Sequence, residues 1–384
     1  MIHRDPLAAA TLQEADPSQA LPLQRIASLI EFEALARKRL TSMAYDHVAG
    51  GVGNEVTLRA NIEAWDRIPL RPRTLVDVSQ IDTRVRLFDQ ELDHPILLAP
   101  TAYHALYHPE GELETVRGAA ASRSTLVASS YATRTIEEMA QAAPVPLWFQ
   151  LYVERDREFT RDLARRAEAA GCRALCVTVD QPLRGYRDRD IRNAFALPSG
   201  LERANLRGLG EAMSRQVLVK DSIYSAAHDP AFTLQDLQWL RSLIQIPLLV
   251  KGIMTPETAE EVIQAGVAGI IVSNHGGRSL DTVPATAEVL PIIADQVAGR
   301  VPLLVDGGIR RGTDVLKALA LGAQAVLIGR PYVYALAVAG AAGISRAIEI
   351  LTTELKMAMA LSGRPTVTSI DRDVIWAGLP RGRM

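Results

Sequence analysis

The stretch that decides the fold is Ile270-Ile271-Val272-Ser273-Asn274-His275-Gly276-Gly277-Arg278, where a short apolar run ends in polar residues and glycines. The apolar run is typical of a buried strand, and the residues after it are typical of the loop at its carboxyl end. His275 offers a base and Arg278 a fixed cation, which together suit an anionic substrate that must lose a proton. A polar turn with a structural histidine explains this stretch equally well when it is taken alone.

Apolar runs of the same kind recur along the chain. The runs predicted to be strands are Ile96 to Ala99, Leu126 to Ser129, Leu147 to Leu151, Ala174 to Val179, Pro247 to Val250, Ala268 to Val272, Pro302 to Val305 and Ala325 to Ile328. None alternates between apolar and polar residues, so each is predicted to be buried on both faces, as parallel strands are. Helical patterns lie between most of them, most clearly at 137–140, 162–170, 256–265 and 313–321.

This alternation predicts the fold class, an α/β protein built as a (β/α)8 TIM barrel. The structural alternative is a doubly wound open sheet, which would need fewer strands. Its G-x-G-x-x-G fingerprint does not follow the first predicted strand. The chain has 384 residues, and α/β barrels often exceed about 250 residues as one domain.

Three segments lie outside the barrel pattern. Residues 1–27 lack periodicity and are predicted to be an N-terminal tail, followed by a single barrel domain over 28–384. Leu29 to Met43 has helical spacing and is predicted to be a helical arm, and the Pro- and Arg-rich residues 65–93 predict a small hairpin or cap. The insertion at about 182–233 follows the fourth strand, so we predict a lid over the site; a disordered surface loop is the alternative.

Composition and charge argue against several classes of function. Hydrophobic residues make up 48% and charged residues 22%, as in ordinary globular proteins. The net charge of −2 gives no electrostatic case for nucleic acid or an anionic membrane as partner. The first residues show no signal pattern, and the apolar run Val333 to Ile344 is predicted to be too short to span a bilayer. We predict a cytoplasmic protein without a metal site, in which Cys172 and Cys176 are reduced core residues.

Polar atoms or glycines follow every predicted strand, at the end of a barrel where active sites form. These strand ends are Pro100-Thr101-Ala102, Ser129-Ser130, Gln150 with Tyr152, Thr178 with Asp180, Lys251, Ser273 to Arg278, Asp306-Gly307-Gly308, and Gly329-Arg330. The last two predict a phosphate site, because loops after strands seven and eight bind phosphate in many barrels. A tight turn is the alternative for either glycine pair.

Two charged residues at strand ends have several possible roles. Lys251 could form a Schiff base, pair with a carboxylate, or lie beneath an anionic cofactor. Asp180 could hold and orient His275, as a carboxylate does for a catalytic imidazole, or it could cap the next element. Four arginines follow Asp180, of which most should be solvated and one could point inward: Arg184, Arg187, Arg189 and Arg192.

In order and spacing, these residues resemble the FMN-dependent 2-hydroxy acid oxidases and dehydrogenases, the group of glycolate oxidase, lactate oxidase and mandelate dehydrogenase. The similarity extends from about Ser28 to Gly363. Ser273 to Asp281 is similar to the active-site signature, and the other matching segments are Pro100-Thr101-Ala102, Gln150-Leu151-Tyr152, Thr178-Val179-Asp180, Lys251-Gly252 and Asp306 to Arg310. The resemblance implies an enzyme that oxidises an (S)-2-hydroxy acid to the 2-oxo acid with FMN.

The resemblance also implies a role for each site residue. Those implied to contact FMN are Pro100, Thr101, Ala102, Ser129, Gln150, Thr178, Lys251, Ser273, Asp306, Gly307, Gly308, Arg310, Gly329 and Arg330. Those implied in catalysis are His275 as the base, Asp180 as its partner, Tyr152 as a donor to the substrate oxygen, and Lys251 as the charge that stabilises the reduced flavin. Those implied to bind substrate are Arg278, Arg187, Tyr152, His275 and His47.

Three positions depart from the family pattern and predict a remodelled pocket. His47 aligns with a tyrosine that helps to bind the substrate carboxylate in the family, and a histidine can titrate. Tyr131 stands where glycolate-type members carry a tryptophan, and Tyr103 follows the flavin-contacting Ala102. We therefore expect a substrate larger than glycolate, such as an aromatic 2-hydroxy acid of the mandelate type.

The sequence is compatible with more than one electron acceptor and with other activities. Oxygen is the predicted acceptor, giving hydrogen peroxide, because no cytochrome-like segment precedes the barrel and the insertion lacks an apolar run that could bind a membrane. A dehydrogenase with another acceptor, an FMN-dependent isomerase, and a non-catalytic barrel that binds a phosphorylated ligand are the alternatives. The resemblance further implies a homo-oligomer, either a tetramer or an octamer.

Overall fold

The computed structural model describes residues 22–142, 146–209, 223–224 and 228–377. Within these residues, eight parallel strands close into a barrel in which each strand pairs with the next and the last pairs with the first. The barrel strands are β1 Ile96–Leu98, β2 Leu126–Ser129, β3 Leu147–Leu151, β4 Leu175–Thr178, β5 Leu248–Ile253, β6 Gly269–Val272, β7 Leu303–Val305 and β8 Ala325–Ile328. The predicted (β/α)8 barrel is confirmed, and each predicted run overlaps one of its strands, although β5 extends beyond the predicted Val250 to Ile253.

Helices cover the outside of the barrel and form the N-terminal arm. They are α1 Leu29–Arg39, α2 Ser42–Ala49, α3 Val56–Asp66, α4 Glu112–Ala121, α5 Ile136–Ala142, α6 Arg157–Ala169, α7 Asp188–Arg192, α8 Leu234–Ser242, α9 Pro256–Gln264, α10 Thr286–Val297, α11 Gly312–Ala320 and α12 Arg330–Leu361. Short 3-10 turns lie at Leu23–Arg25, His104–Leu106, Ala204–Leu206, Val367–Ser369 and Arg372–Val374.

Two apolar layers hold these elements together. The inner layer fills the barrel with alternate strand residues such as Leu97, Trp148 and Ile271, and the outer layer packs the other strand faces against the helices. This two-sided burial explains why the strands carry no polar alternation. Cys172 and Cys176 are both buried and unpaired, as the sequence predicts for core residues.

The N-terminal arm differs from the prediction in two ways. The sequence predicts one helix from Leu29 to Met43, but the structure has α1 and α2, separated at Leu40, which is extended with φ −85° and ψ 147°. Leu40 is fully buried at this break, and the Thr41 side chain accepts from the backbone N–H of Ala44 to start α2. Helix α3 was not predicted at all.

The predicted hairpin is present, pairing Val85–Leu87 with Gln90–Leu92 in antiparallel register. Its Leu87 and Leu92 join the interior core of the barrel, so the hairpin closes one end. The insertion after β4 contains α7 and the turn at Ala204–Leu206, while its residues 210–222 and 225–227 lie outside the described part. The predicted tail also lies largely outside it, so the tail and the lid stay predictions.

Helix α12 corrects the expectation for the apolar run at Val333 to Ile344. By length and composition this helix is capable of crossing a membrane, whereas the sequence run was predicted to be too short. In the structure 61% of its most apolar window is buried inside the molecule, and the helix breaks at Ala339 and Gly340. It packs on α1, α4 and α11, as a core helix of the barrel does.

Candidate active site

The two-residue period of the strands brings the predicted site residues together. One interior layer of the barrel contains Val127, Trp148, Cys176, Leu249, Ile271 and Leu304. The residues two positions further along each strand point the same way and lie at the mouth of the barrel: Ser129, Gln150, Thr178, Lys251, Ser273 and Asp306. The site is thus a continuation of the core in which polar residues replace apolar ones.

A cleft with about 1090 Å³ of empty space, part of it open to solvent, occupies this mouth. Most of the site residues predicted from the sequence line it. These are His47, Pro100, Thr101, Ala102, Ser129, Gln150, Tyr152, Thr178, Arg187, Lys251, His275, Arg278, Asp306, Gly307, Gly308, Arg310, Gly329 and Arg330. Asp180 and Ser273 lie behind the wall and reach the cleft through His275 and Lys251.

His275 is held as the sequence predicts for a base. Its Nδ1 lies 2.7 Å from Asp180 Oδ1, and its Nε2 lies 3.4 Å from the Tyr152 hydroxyl. Burial lowers the pKa of His275 below its ordinary value, and the charges of Lys251 and Arg278 act in the same direction against that of Asp180. Burial would raise the pKa of Asp180, but the charges of His275 and Lys251 hold it below its ordinary value. An ionised Asp180 therefore accepts the Nδ1–H, and Nε2 is left as the basic nitrogen.

Lys251 is a buried cation at the floor of the cleft. Its Nζ donates to Ser273 Oγ at 2.8 Å and lies 3.2 Å from Asp306 Oδ2. Burial would lower the pKa of Lys251, but the charges of Asp306 and Asp180 raise it above its ordinary value. The ammonium group therefore stays charged, which excludes a free amine for Schiff-base chemistry at neutral pH. A cation fixed in this way suits an anionic ring placed above it.

Several buried polar atoms of the cleft have no partner among the described residues. They are Gln150 Nε2, Thr178 Oγ1 and Asp306 Oδ1. An unsatisfied buried donor or acceptor costs about 1–3 kcal/mol, so such a cluster indicates a polar ligand. The donors and acceptors around a flavin ring and its ribityl chain match this set, and with Lys251 the residues present fit FMN.

The segment that follows β1 is anchored from behind. Thr101 Oγ1 lies 2.6 Å from His104 Nε2 and also contacts the Tyr332 hydroxyl, which donates to the Ala99 carbonyl at 2.7 Å. His104 Nδ1 lies 2.8 Å from Thr115 Oγ1. These buried bonds fix the backbone along which a flavin ring is expected to lie. His104 and Tyr332 carry no sequence signal that would have identified them.

The Gly307-Gly308 loop after β7 has a packing role, and its two N–H groups make no hydrogen bond within the described residues. Gly307 and Gly308 have φ values of +96° and +85°, and a Cβ on Gly308 would lie 1.9 Å from the Asn61 carbonyl oxygen of α3. Any side chain there would displace α3. Glycine at this position is therefore required by packing, and the phosphate prediction depends on Arg310 and the free N–H groups.

Arg330 does more than the sequence predicts. Its guanidinium donates to the backbone carbonyls of Val48, Gly276 and Gly50 at 2.9, 2.9 and 2.8 Å. These bonds join the end of α2 to the loop after β6 and form one wall of the cleft. The phosphate contact implied for Arg330 stays a prediction, and its backbone N–H in the first turn of α12 is the group left free for it.

Arg278 and Arg187 also line the cleft, and Arg278 Nη1 donates at 2.7 Å to the Gly50 carbonyl that Arg330 also contacts. Burial, with the nearby charge of Arg330, lowers the pKa of Arg278 to about 10. Burial and the charges of Arg278 and Arg184 lower the pKa of Arg187 to about 9. The Nε of Arg187 is buried without a partner among the described residues. Two crowded guanidiniums with an unpaired donor indicate an anion site, and a carboxylate is the group that such a fork binds.

His47 forms a second imidazole–carboxylate pair in the same cleft. Its Nδ1 lies 3.1 Å from Asp190 Oδ1, and its ring stacks on Phe195 with centroids 3.8 Å apart. Burial lowers the pKa of His47 to about 3, against the bond with Asp190. The sequence pointed to His47 as a departure from the family, but nothing in it identified Asp190, which is 143 residues away.

Aromatic side chains form the rest of the substrate wall. Tyr107, Tyr131 and Tyr152 line the cleft. Burial raises the pKa of each phenol well above 10, so all three are neutral. Tyr131 contacts His228 through its hydroxyl, and Arg203 lies over its ring at 4.3 Å. The wall can therefore contact a flat apolar group with ring faces and donate hydrogen bonds from phenols.

Comparisons with known proteins agree with this geometry. Residues 36–377 match the family model described as FMN-dependent dehydrogenase. A 2-hydroxyacid oxidase of Dictyostelium discoideum is 44% identical over 92% of this chain and 91% of its own length. An L-lactate oxidase of Nostoc is 46% identical over 90% of this chain and 96% of its own. A solved structure of mandelate oxidase with (S)-4-hydroxymandelic acid is 40% identical, with a TM-score of 0.85 over 91% of this chain and 98% of its own.

The fold and the site together define an FMN-dependent oxidoreductase built on a TIM barrel. The chain belongs to the FMN-dependent dehydrogenase family, which includes the 2-hydroxy acid oxidases. The family resemblance stated from the sequence is confirmed, as is FMN as its cofactor.

Proposed function

We propose that this protein oxidises an (S)-2-hydroxy acid with a bulky, aryl-type side chain, passing the electrons through FMN to oxygen. In the balanced reaction, R–CH(OH)–COO⁻ and O2 give R–CO–COO⁻ and H2O2. The observation that carries the proposal is the convergence of a neutral His275 with its ionised partner Asp180, an arginine pair and a buried lysine on one cleft.

The protein's own residues supply the acid–base and anion-binding parts of this reaction. His275 Nε2 is the basic nitrogen that takes a proton from the substrate, and Asp180 stabilises the resulting imidazolium. Arg278 and Arg187 bind the substrate carboxylate, which places the carbon to be oxidised within reach of His275. The neutral Tyr152 hydroxyl donates to the substrate oxygen beside His275.

When bound, FMN supplies the two-electron acceptor. Pro100, Thr101 and Ala102 would lie along its ring, while Ser129, Gln150 and Thr178 would satisfy its polar edge. Lys251 would hold the negative charge that develops there. The phosphate end would be held by the Gly307-Gly308 loop, Arg310 and the first turn of α12.

The wall of the cleft supports specificity for a substrate with an aryl side chain. Tyr107, Tyr131 and Tyr152 offer ring faces, and aromatic pairs contribute about 0.5–1.5 kcal/mol beyond burial. Mandelate oxidase, whose structures contain (S)-mandelic acid and (S)-4-hydroxymandelic acid, supports an aryl substrate. The sequence relatives named for lactate and glycolate are at least as similar, so overall identity does not decide the matter. The panel of acids below does.

Oxygen as acceptor is supported by the names of the relatives, which are oxidases. A dehydrogenase that uses another acceptor is the second candidate, because the matched family model carries that description. We also propose a cytoplasmic location, as predicted from the sequence, and a homo-oligomeric state, a tetramer or an octamer, on the family resemblance. Light scattering on the purified protein measures the assembly, and a monomer would overturn that part.

One experiment tests the whole proposal. The purified protein is examined for flavin absorbance and then mixed without oxygen with (S)-mandelate, L-lactate and glycolate in turn. Bleaching of the flavin by (S)-mandelate at the lowest concentration, followed by peroxide formation on admitting air, is the expected result. Bleaching by L-lactate or glycolate alone would overturn the aryl specificity. Flavin that no 2-hydroxy acid bleaches would overturn the oxidation itself and favour an isomerase.

A further inference from the structure

The Asp190 carboxylate contacts one imidazole and two guanidiniums beside the cleft. It lies on α7, in the insertion after β4, and is 5% exposed. His47 Nδ1 lies 3.1 Å from Oδ1, and Arg184 and Arg187 lie 2.7 and 3.3 Å from Oδ2. Two of these partners, His47 and Arg187, line the substrate side of the cleft.

The protonation state of this cluster follows from its contacts. Burial would raise the pKa of Asp190, but the bond from His47 and the charges of His47, Arg187 and Arg278 hold it well below its ordinary value. An ionised Asp190 can only accept, so the His47 Nδ1 carries the proton of the neutral ring. His47 Nε2, which makes no hydrogen bond within the described residues, is then an acceptor on the cleft side.

Asp190 also lies at the junction of two segments that do not belong to the barrel strands. Two bonds tie the α7 segment to Asp46 of α2: Arg189 donates to Asp46 at 3.4 Å, and Asn193, just after α7, donates to it at 2.8 Å. Arg189 also donates at 2.6 Å to Glu55, which precedes α3. The Phe195 ring stacks on His47 from the same segment. The bonds to Asp190 therefore set where His47 and Arg187 enter the cleft.

We propose that Asp190 is a positioning residue for the substrate: it fixes the Arg187 guanidinium on the side of the cleft that receives the carboxylate, and it holds the His47 ring in the adjoining wall. This inference rests on the proposed function, because it assumes that a 2-hydroxy carboxylate is the ligand. Asp190 acts through its two partners and does not touch the substrate.

The direction in which KM changes when the Asp190 charge is removed distinguishes a positioning role from a purely electrostatic one. If Asp190 were only a negative charge near the anion site, removing the charge would strengthen the binding of an anionic substrate. If Asp190 positions Arg187 and His47, removing the charge weakens binding, because the buried guanidinium and imidazole lose their fixed partner. The two roles thus predict KM changes in opposite directions.

The experiment compares Asp190→Asn and Asp190→Glu with the wild-type holoenzyme, using rates normalised to bound flavin. The first variant keeps the shape and removes the charge, while the second keeps the charge and moves it. We expect both to raise the KM for (S)-mandelate, by roughly 10- to 100-fold for Asn, with a smaller change in kcat. The dissociation constant of oxalate, a dicarboxylate that cannot be oxidised at a C–H bond, should rise in parallel in a flavin absorbance titration.

The matched control is Asp188→Asn, which removes a carboxylate from the same helix. Asp188 pairs only loosely with Arg192, at 3.8 Å; the Arg192 side chain is exposed and that of Asp188 is about half-exposed. This control should keep the wild-type KM and oxalate affinity. The acid limb of kcat/KM should be the same in all variants, because the His275–Asp180 pair is not touched.

The outcomes are distinct. A KM for Asp190→Asn equal to or below that of the wild type would overturn the positioning role. If Asp190→Asn does not retain FMN, the KM of Asp190→Glu is the deciding measurement. A wild-type KM in Asp190→Glu would overturn the inference, because it would show that the position of the carboxylate does not matter. Failure of the proposed function shows separately, as wild-type flavin that no 2-hydroxy acid bleaches.

Discussion

Two histidine–carboxylate pairs face one cleft, and they are built differently. His275 and Asp180 follow the barrel strands β6 and β4, so the strand pairing fixes both ends of their 2.7 Å contact. His47 and Asp190 lie on α2 and α7, outside the barrel, with a 3.1 Å contact. The barrel strands therefore place the first pair, whereas the second depends on contacts between two peripheral segments.

The difference shows that a histidine–aspartate pair does not define a role by itself. Burial lowers the pKa of both histidines, so both are neutral at pH 7. Only His275 has the Tyr152 hydroxyl at its second nitrogen and the Lys251 charge nearby. We therefore assign proton transfer to the barrel pair and substrate placement to the peripheral pair.

The largest expected effect is that of His275→Asn on turnover. Loss of a general base costs roughly 10²- to 10⁴-fold in kcat. FMN should stay bound, because its expected ligands are elsewhere. Steady-state peroxide formation per bound flavin measures the effect. Wild-type turnover in this variant would mean that His47 or another group is the base.

Asp180→Asn should have the next largest effect. A neutral amide no longer holds the Nδ1–H tautomer or stabilises the imidazolium, and we expect kcat to fall by about 100-fold, less than the complete loss of the base. KM should change little because the arginines are unaffected. A raised KM with an unchanged kcat would mean that Asp180 acts in substrate binding and not in proton transfer.

The two histidine–aspartate pairs differ in how far the sequence could predict them. The eight strands were predictable because burial on both faces leaves a continuous apolar run, and each run is followed by its site residue. Position therefore predicted that His275 and Asp180 lie at the same end of the barrel, where the structure brings them into contact; their catalytic roles stay predictions. His47 was noticed only because it departs from a family pattern.

The remaining features could not be predicted because they depend on tertiary contacts. Asp190 sits in an Arg-rich stretch that reads as a solvated surface, and its meeting with α2 has no local signature. Helix α3 was missed, and with it the Asn61 side chain that exchanges hydrogen bonds with Asn274 of the key stretch at 2.8 Å. The break between α1 and α2 depends on the burial of the Leu40 side chain. The spacing of residues along the sequence does not indicate such tertiary contacts.

The pH dependence should come from the barrel pair. Because the folded-state pKa of His275 lies below its ordinary value of 6.5, the basic form is present at neutral pH and is lost only as the pH falls through that lowered pKa. We expect kcat/KM to be flat from about pH 7 to 8 and to drop up to tenfold per unit on the acid side. A limb centred above the ordinary value would contradict the burial argument.

His47→Phe tests the peripheral pair and should act mainly on KM. The change keeps a ring against Phe195 but removes the bond to Asp190, leaving that buried carboxylate with fewer partners. We expect KM for (S)-mandelate to rise by roughly tenfold, with kcat changed by less. A kcat loss as large as that of His275→Asn would erase the distinction between the two pairs.

Tyr131→Phe should have the smallest effect. The ring that lines the cleft is kept, and the lost hydroxyl contacts His228 behind the wall. We expect kcat/KM for (S)-mandelate to stay within about threefold and the free energy of unfolding to fall by about 0.5–1.5 kcal/mol. A larger loss confined to kcat would place the Tyr131 hydroxyl at the reacting atoms.

We propose that His275 is the base for oxidation of a 2-hydroxy acid in an FMN-loaded cleft. The most direct measurement is a single anaerobic mixing of wild type and His275→Asn with (S)-mandelate, following the visible flavin band. The wild type should bleach, and the variant should keep its FMN and bleach at least 100-fold more slowly. Equal bleaching rates in the two proteins would contradict the account.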